Sequence, residues 1–507
     1  KNINIPFKKQ EKSNIIIVRG ERMKLEKLLN NIEYTLIKGS LDTEVTGLYY
    51  DSRKVTEGSA FICLSGLQVD GHDYINGAIE KRAAVVIVEK DVEIKEEVTV
   101  VKLSNTRKNL SQLSINYFDN PASKLVMIGI TGTKGKTTTS WMIKNILEED
   151  GKKVGVIGTM GVFINGKHYE TVNTTPESYD IQRYLKEMVD SGVEYAVMEV
   201  SSQALKVGRV ENMTFDYGIF TNLTKDHIGD GEHENMEDYI YSKSLLFQRS
   251  KIGILNMDDI HYQDMIKNST CKTYTYGKNK ESDVTIEGIK LLRKEHFIGL
   301  ELQTKGLIED TFLVNTPGEF SAYNALGAIL TTHLIGCKIE NIKAALAKVA
   351  VKGRVEIVPV SNKYSVIIDY AHNGVSMESI LKTMRAYNPK RIVSLFGCGG
   401  NRSKDRRYDM GEISGRLADF TIVTEDNSRY EDINDIMNDI EIGLKKTSGE
   451  YIKIADRKDA IKYAIDNAKE GDIILLLGKG HETYREINGV REHLDEREII
   501  KDILENK

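Results

Sequence analysis

An apolar run, Leu125-Val126-Met127-Ile128-Gly129-Ile130, breaks directly into Thr131-Gly132-Thr133-Lys134-Gly135-Lys136-Thr137-Thr138-Thr139, and Ser140–Glu149 continues in a helix-like pattern. A strand that feeds a glycine-rich turn and then a helix belongs in a parallel α/β sheet. Glycines permit the tight turn, and backbone N–H groups at the helix start can cradle phosphate oxygens. Lys136 would neutralise the β/γ-phosphates of a nucleotide, and the Thr137 hydroxyl would ligate Mg²⁺. The position five before Gly135 is Ile130 rather than glycine, so the general phosphate-loop pattern is not met. The competing reading is a glycine turn followed by a basic helix cap. The strand context and the Gly-Lys-Thr triplet favour the nucleotide loop.

The second block continues through Lys153–Ile157 and Tyr195–Val200, both strand-like, with helix-length segments between. A third block from Gly353 reads as strands at Ser365–Asp369, Arg391–Phe396, Phe420–Thr424 and Asp472–Leu477. Before both lies a block from Met23 to Lys124 with a buried strand in Ala83–Val88. A chain of 507 residues is too long for one core, and about three domains are expected. The expected division is 23–124, 125–352 and 353–507, with residues 1–22 outside the fold. In open α/β sheets ligands collect at the carboxyl ends of strands, so polar motifs there carry more weight than elsewhere.

Lys+Arg 70 against Asp+Glu 75 leaves a net charge of −5, which favours neither nucleic acid nor an anionic membrane as partner. No apolar run reaches membrane-span length. Four cysteines, Cys63, Cys271, Cys337 and Cys398, are scattered without a Cys-x-x-Cys pair, which argues against zinc and against a disulfide framework. A cytoplasmic, monomeric enzyme is the expectation.

Thr-Gly-Thr-Lys-Gly-Lys-Thr-Thr resembles the ATP loop of the Mur ligase family, a variant shared with folylpolyglutamate and cyanophycin synthetases. The resemblance extends along the chain. Met198-Glu199-Val200-Ser201-Ser202 is similar to the segment whose glutamate binds metal in that family, and Thr221-Asn222-Leu223-Thr224-Lys225-Asp226-His227 to the one whose histidine is a second ligand. Tyr241-Ser242-Lys243-Ser244-Leu245-Leu246-Phe247 looks like the segment whose lysine reacts with CO₂, so a carbamate on Lys243 is implied as a further metal ligand. Without the resemblance Lys243 reads as a solvated helix lysine. The stretch between His227 and Lys243, which contains His233, is longer than in many relatives. Gly318-Glu319-Phe320-Ser321-Ala322-Tyr323-Asn324 resembles the segment whose asparagine contacts adenine. Gly353-Arg354-Val355-Glu356 and Asp369-Tyr370-Ala371-His372-Asn373 resemble segments that open the third domain and face the nucleotide. The resemblance therefore implies ATP contacts from Gly132, Thr133, Lys134, Gly135, Lys136, Thr137, Thr138, Asn324, Arg354, Asp369 and His372. It implies catalytic roles for Lys136, Glu199, His227 and Lys243, with Mg²⁺ held by Thr137, Glu199, His227 and carbamylated Lys243.

Two further regions resemble the branch of the family that adds the third residue to the cell-wall peptide precursor. Asp51-Ser52-Arg53, Asp70-Gly71-His72 and Asn173-Thr174-Thr175-Pro176 are similar to its substrate-binding segments. They imply contacts to UDP-N-acetylmuramoyl-L-alanyl-D-glutamate from Ser52, Asn173, Thr174, Thr175, Ser201 and Arg209; Val207 stands where relatives often carry glutamine. Phe396-Gly397-Cys398-Gly399-Gly400, Asp426-Asn427-Ser428-Arg429 and Gly478-Lys479-Gly480-His481-Glu482 resemble the pocket for the incoming amino acid. Arg407, Asp426, Asn427, Arg429, Gly478 and Glu482 are its implied residues. An arginine fork suits the distal carboxylate of meso-diaminopimelate, and a glutamate suits its ammonium. L-Lysine lacks that carboxylate and is the alternative substrate, since Ser428 replaces the proline that would rigidify the backbone before Arg429. Other readings are a paralogous amide ligase and a nucleotide-binding regulatory protein without turnover.

Overall fold

The computed structural model describes residues 22–66, 69–225, 228–229, 232–294 and 296–505. Among these, three sheets of five or more strands follow one another along the chain, beside two two-stranded ones. The first runs in the order Thr35–Lys38, Thr99–Lys102, Val85–Val88, Ala60–Ile62, Leu48–Tyr49, parallel except at Thr35–Lys38. The third runs Glu356–Val358, Ser365–Asp369, Asp472–Leu477, Arg391–Phe396, Phe420–Val423, Tyr451–Lys453, parallel except at its first strand. The expected class, α/β with three units and a Rossmann-like last one, is what the chain forms.

The central sheet has eleven strands among the described residues. Val126–Thr131 lies in its middle, flanked in parallel by Tyr195–Glu199 and Phe215–Phe220. It is buried on both faces, which is why its sequence is continuously apolar rather than alternating. Helix Lys136–Glu149 returns along the sheet and buries Met142, Ile143, Ile146 and Leu147, a single stripe at helical spacing. The parallel reading of this block holds only for its middle. Gly161–Ile164 turns back antiparallel, and Lys167–Tyr169 follows through Asn165-Gly166, both at positive φ of 46° and 80°, the geometry of a tight hairpin. At the other margin Val284–Lys294, Phe297–Gly306 and Asp310–Val314 form an antiparallel meander. Its exposure pattern is mixed, a weaker sequence signal than a doubly buried strand.

Side chains tie the units together. Tyr50 donates to Asp180 at 2.6 Å between the first and second, beside the packed rings of Tyr49, Tyr179 and Phe118. Between the second and third, the Tyr387 hydroxyl accepts from the Gly318 amide at 3.0 Å and donates to the Gly299 carbonyl at 2.9 Å. Among the described residues no helix is long and apolar enough to cross a membrane.

Candidate functional site

Strand Val126–Thr131 ends in the loop whose shape two glycines permit. Gly132 has φ 149° and Gly135 φ 87°. A Cβ at Gly132 would strike the Thr221 hydroxyl, and one at Gly135 the Asn324 side chain. The loop is clamped from the neighbouring strand end: Asn222 accepts from the Thr133 amide through its carbonyl at 2.8 Å and from the Lys134 amide through Oδ1 at 3.0 Å. Its Nδ2 returns a bond to the Lys134 carbonyl at 3.0 Å. Lys136 lies over the loop, its Nζ donating to the carbonyls of Gly132 at 2.8 Å and Thr133 at 3.1 Å. Thr138 is half-buried in the first helical turn. Asn324, on helix Glu319–Ile335, packs against Gly135 with Oδ1 3.5 Å from the Thr139 hydroxyl. Asn222 was not singled out from sequence; its position at a strand end beside the loop is the signal that marks it.

Glu199 closes the adjacent strand and is 1% exposed. Its Oε2 accepts from the Thr137 hydroxyl at 3.0 Å and the Thr159 hydroxyl at 2.9 Å, and Oε1 from the Thr159 amide at 3.1 Å. These oxygen donors beside a phosphate loop suit a hard divalent cation that completes its shell with water and substrate oxygens. His227 lies outside the described residues. Lys243, expected on residue type alone to be solvated, is 1% exposed. It sits on helix Met236–Gln248, with Nζ 3.0 Å from the Gly132 carbonyl and 4.4 Å from the centre of the Tyr239 ring. The neighbouring His233 is also buried, with Nε2 2.9 Å from the Ser202 hydroxyl and Nδ1 3.2 Å from Asp238. Burial lowers its basicity, more than Asp238 raises it.

On the other side of Glu199, Thr174 meets the Thr159 hydroxyl at 3.1 Å. Thr175 donates to the Glu199 carbonyl at 2.9 Å and accepts from the Ser201 amide at 3.0 Å. Ser201 caps the short helix Ser202–Lys206. Arg209 donates to the Thr175 carbonyl at 2.9 Å and to Glu177 at 3.1 Å, and Arg107 of the first unit reaches the same carboxylate at 2.6 Å. Asn173 is exposed and Ser52 half-buried, the latter on the first sheet's side with its carbonyl held by Lys81 at 2.8 Å. Four substrate-side residues are thus gathered beside the phosphate loop, while Ser52 stands on another unit.

The third unit opens with Arg354, whose guanidinium lies 4.9 Å from the Tyr370 ring centre. Val355 follows at φ 48°, a conformation costing a β-branched residue about 1–3 kcal/mol. Asp369 holds it there by accepting from its amide at 2.8 Å. Burial pushes the Asp369 carboxyl upward, opposed by Arg354 and the surrounding amides. His372 is exposed, with Nδ1 2.9 Å from the Tyr370 carbonyl. His481, packed 5.0 Å from the Tyr370 ring, is held neutral: burial, then Arg354 and Arg497, push it down to about 4.

At the carboxyl ends of the third sheet, Asn427 Nδ2 donates to Glu482 at 3.0 Å. Arg429 adopts φ 53° and bridges to the hairpin Tyr484–Ile487 and Val490–His493. Its amide donates to the Glu486 carbonyl at 2.9 Å, its carbonyl accepts from Asn488 at 2.6 Å, and Nη1 donates to the Gly400 carbonyl at 2.7 Å. Gly478, at φ 106°, brings the chain against Asp426, where a Cβ would stand 2.8 Å from Oδ2. Arg407 lies beneath this loop at 1% exposure, its guanidinium on Asp439 and Glu431 at 2.9 Å each. Lys479, which has no role among the residues expected from sequence, is fully buried at the centre of Asp426, Asn427 and Glu482. The signal was its place between Gly478 and Gly480, both at positive φ. A separate crevice of about 650 Å³ between the second and third units, lined by Lys278, Glu319, Lys382 and Thr383 among others, touches the start of the Gly318–Asn324 segment but includes none of the residues assigned a site role from sequence.

Three family descriptions match the chain: "Mur ligase family, catalytic domain" over residues 44–118, "Mur ligase middle domain" over 130–332, and "Mur ligase, glutamate ligase domain" over 353–480. A protein of Clostridium perfringens (strain 13 / Type A) named UDP-N-acetylmuramoyl-L-alanyl-D-glutamate--2,6-diaminopimelate ligase is 43% identical over 492 residues, 96% of this chain and 100% of that one. One of Clostridium acetobutylicum, named as ligase 1 of the same kind, is 41% identical over 485 residues, covering 95% and 99%. A solved structure of a UDP-N-acetylmuramoyl-L-alanyl-D-glutamate--2,6-diaminopimelate ligase superposes with TM-score 0.71 at 26% identity, covering 96% of this chain and 99% of that one. The chain belongs to the Mur ligase family.

Proposed function

We propose that the protein ligates meso-2,6-diaminopimelate to UDP-N-acetylmuramoyl-L-alanyl-D-glutamate, consuming ATP and releasing ADP and inorganic phosphate, in peptidoglycan precursor synthesis in the cytoplasm. The observation that carries this reading is the convergence at one sheet edge of the phosphate loop, Glu199, Lys243 and the Thr174-Thr175-Ser201 cluster. It acts as a monomer of three domains, 23–124 for the uridine nucleotide, 125–352 for ATP and 353–507 for the amino acid.

In this reading the loop amides and Lys136 hold the nucleotide's phosphates, with Asn324, Arg354, Asp369 and His372 completing the ATP contacts. Lys136 would leave the loop carbonyls it now occupies for the more strongly charged phosphate oxygens. Thr174, Thr175, Ser201 and Arg209 orient the precursor's D-glutamate, Asn173 its peptide and Ser52 its uridine diphosphate. The γ-carboxylate attacks the γ-phosphorus of ATP, ADP leaves, and an acyl phosphate results. The amino group held by Asp426, Asn427, Arg429, Gly478 and Glu482 attacks that carbonyl, and the tetrahedral intermediate expels phosphate. Arg407 supports this pocket from below through Glu431 and Asp439. Domain closure excludes water, which would hydrolyse the acyl phosphate. Thr137, Glu199, His227 and Lys243 as its CO₂ carbamate would hold Mg²⁺, which supplies charge neutralisation between anionic reactants when bound. Lys243 Nζ lies 3.0 Å from the Gly132 carbonyl, so a carbamate on it would stand beside the phosphate loop.

Phosphate release with ATP, Mg²⁺ and the UDP-muramoyl-dipeptide tests the reading, with meso-diaminopimelate and L-lysine compared side by side. Turnover with diaminopimelate alone is expected. Turnover with lysine alone would reassign the amino acid, and silence with both would leave a paralogous ligase or a non-catalytic nucleotide binder.

A further inference from the structure

Lys479 offers no charge to solvent, being 0% exposed. Its Nζ lies 2.9 Å from Asn427 Oδ1, 3.1 Å from Glu482 Oε2 and 3.5 Å from Asp426 Oδ1. The ammonium therefore hydrogen-bonds Asn427 and Glu482 and pairs more loosely with Asp426, three of the residues proposed for the amino-acid pocket. Glu482 Oε2 also accepts from Asn427 Nδ2 at 3.0 Å. That oxygen is occupied twice, while Oε1 receives no hydrogen bond among the described residues, so one carboxylate oxygen is oriented and the other is presented. Asn427 is fixed in turn because its Oδ1 also accepts from the Glu486 amide at 2.9 Å.

The charge balance follows. Asp426 and Glu482 are two anionic side chains, and Arg429 and Lys479 two cationic ones, so the cluster is neutral as a set. The distal end of meso-diaminopimelate, a carboxylate with an ammonium, is also neutral. Removing Lys479 would leave the set one negative charge in excess, a surrounding that suits the lone distal ammonium of L-lysine.

We propose that Lys479 is a positioning and specificity-determining residue, aiming Glu482 and Asn427 and holding the pocket neutral so that it selects a zwitterionic distal group over a cationic one. This rests on the function proposed above. It differs from a packing role because it predicts a change in preference as well as in affinity.

The test is Lys479→Met, assayed for phosphate release with each amino acid. Loss of a buried charged partner is expected to raise KM for diaminopimelate about 10-fold and lower the diaminopimelate-to-lysine preference by a similar factor, with KM for ATP and the precursor within about 2-fold. An unchanged preference, or an equal rise in all three KM values, overturns the proposal. Lys479→Met/Glu482→Gln removes both charges and serves if the single variant does not fold. The double variant, neutral as a set, should favour diaminopimelate over lysine less than Glu482→Gln alone, whose set carries one excess positive charge; equal preferences would overturn the idea. Wild-type protein silent with both amino acids overturns the functional reading and this one together, whereas an active wild type with an indifferent Lys479→Met overturns only this one.

Discussion

The Lys243 ammonium donates to the Gly132 carbonyl at 3.0 Å, joining a helix to the phosphate loop across 111 residues of sequence. The lysine is nearly excluded from solvent, so the surrounding structure has already met the cost of desolvating it. If it is carbamylated, turnover should fall in CO₂-depleted buffer and recover on adding bicarbonate. Lys243→Ala should lose about 100-fold or more in kcat and no longer respond to bicarbonate. A fully active, CO₂-insensitive alanine variant would falsify the assignment.

Lys136 and Glu199 should separate by what each variant lacks. Lys136→Ala removes a cation for the phosphates and should lower kcat about 100-fold or more with the fold intact. Glu199→Gln keeps one oxygen for the Thr137 and Thr159 hydroxyls, loses the acceptor for the Thr159 amide and loses the charge, so the Mg²⁺ needed for half-maximal rate should rise about 10-fold. Chelation of Mg²⁺ should stop phosphate release. Metal titrations of initial rate distinguish the two; an unshifted Mg²⁺ curve for Glu199→Gln would remove it from the metal site.

Arg429 is aimed by its bridge to the Tyr484–His493 hairpin, with Ser428 rather than proline before it. Ser428→Pro is therefore expected to change amino-acid preference by less than about 2-fold. Gly489→Val should reduce it, because Gly489 has φ 75° and a Cβ there would stand 2.6 Å from the Tyr430 hydroxyl. Competition between diaminopimelate and lysine reads both variants, and the reverse order would show that the proline position sets the aim.

Arg407 is buried and pairs with Asp439, which is mostly buried, and with Glu431, which is partly exposed. Arg407→Met removes the buried cation while Asp439 keeps Lys404 and Glu431 keeps the Asn401 amide, so it should destabilise the protein by about 1–3 kcal/mol. Thermal unfolding would register this directly. A variant of unchanged stability with a large KM defect would instead put Arg407 in contact with substrate.

His481 has a folded-state value of about 4 against its ordinary 6.5. Between those pH values the unfolded chain binds more protons, so this group's contribution falls as pH is lowered from 6.5 toward 4 and is fully present above 6.5. His481→Gln should flatten that part of the stability profile relative to wild type, measured by denaturant unfolding at several pH values. Parallel profiles would show that burial does not hold the ring neutral.

The doubly buried strands Val126–Thr131, Ser365–Asp369, Arg391–Phe396 and Asp472–Leu477 were legible because strands covered on both faces are continuously apolar. The loop after the first of them was legible for a local reason, its glycines and lysines lying within the five consecutive residues 132–136. The antiparallel meander Val284–Val314 was not, since its mixed exposure leaves no single period to detect.

What the amino-acid sequence determined by itself is the strand, glycine and helix order and the residue types at the strand ends, because these depend on neighbours a few positions away. Only the tertiary structure decided that Lys243 is buried rather than solvated, that Asn222 clamps the phosphate loop, and that Lys479 stands between Asp426, Asn427 and Glu482. Burial and hydrogen-bond partners at such positions come from segments tens to more than a hundred residues apart, brought together by parallel pairing that no local pattern encodes.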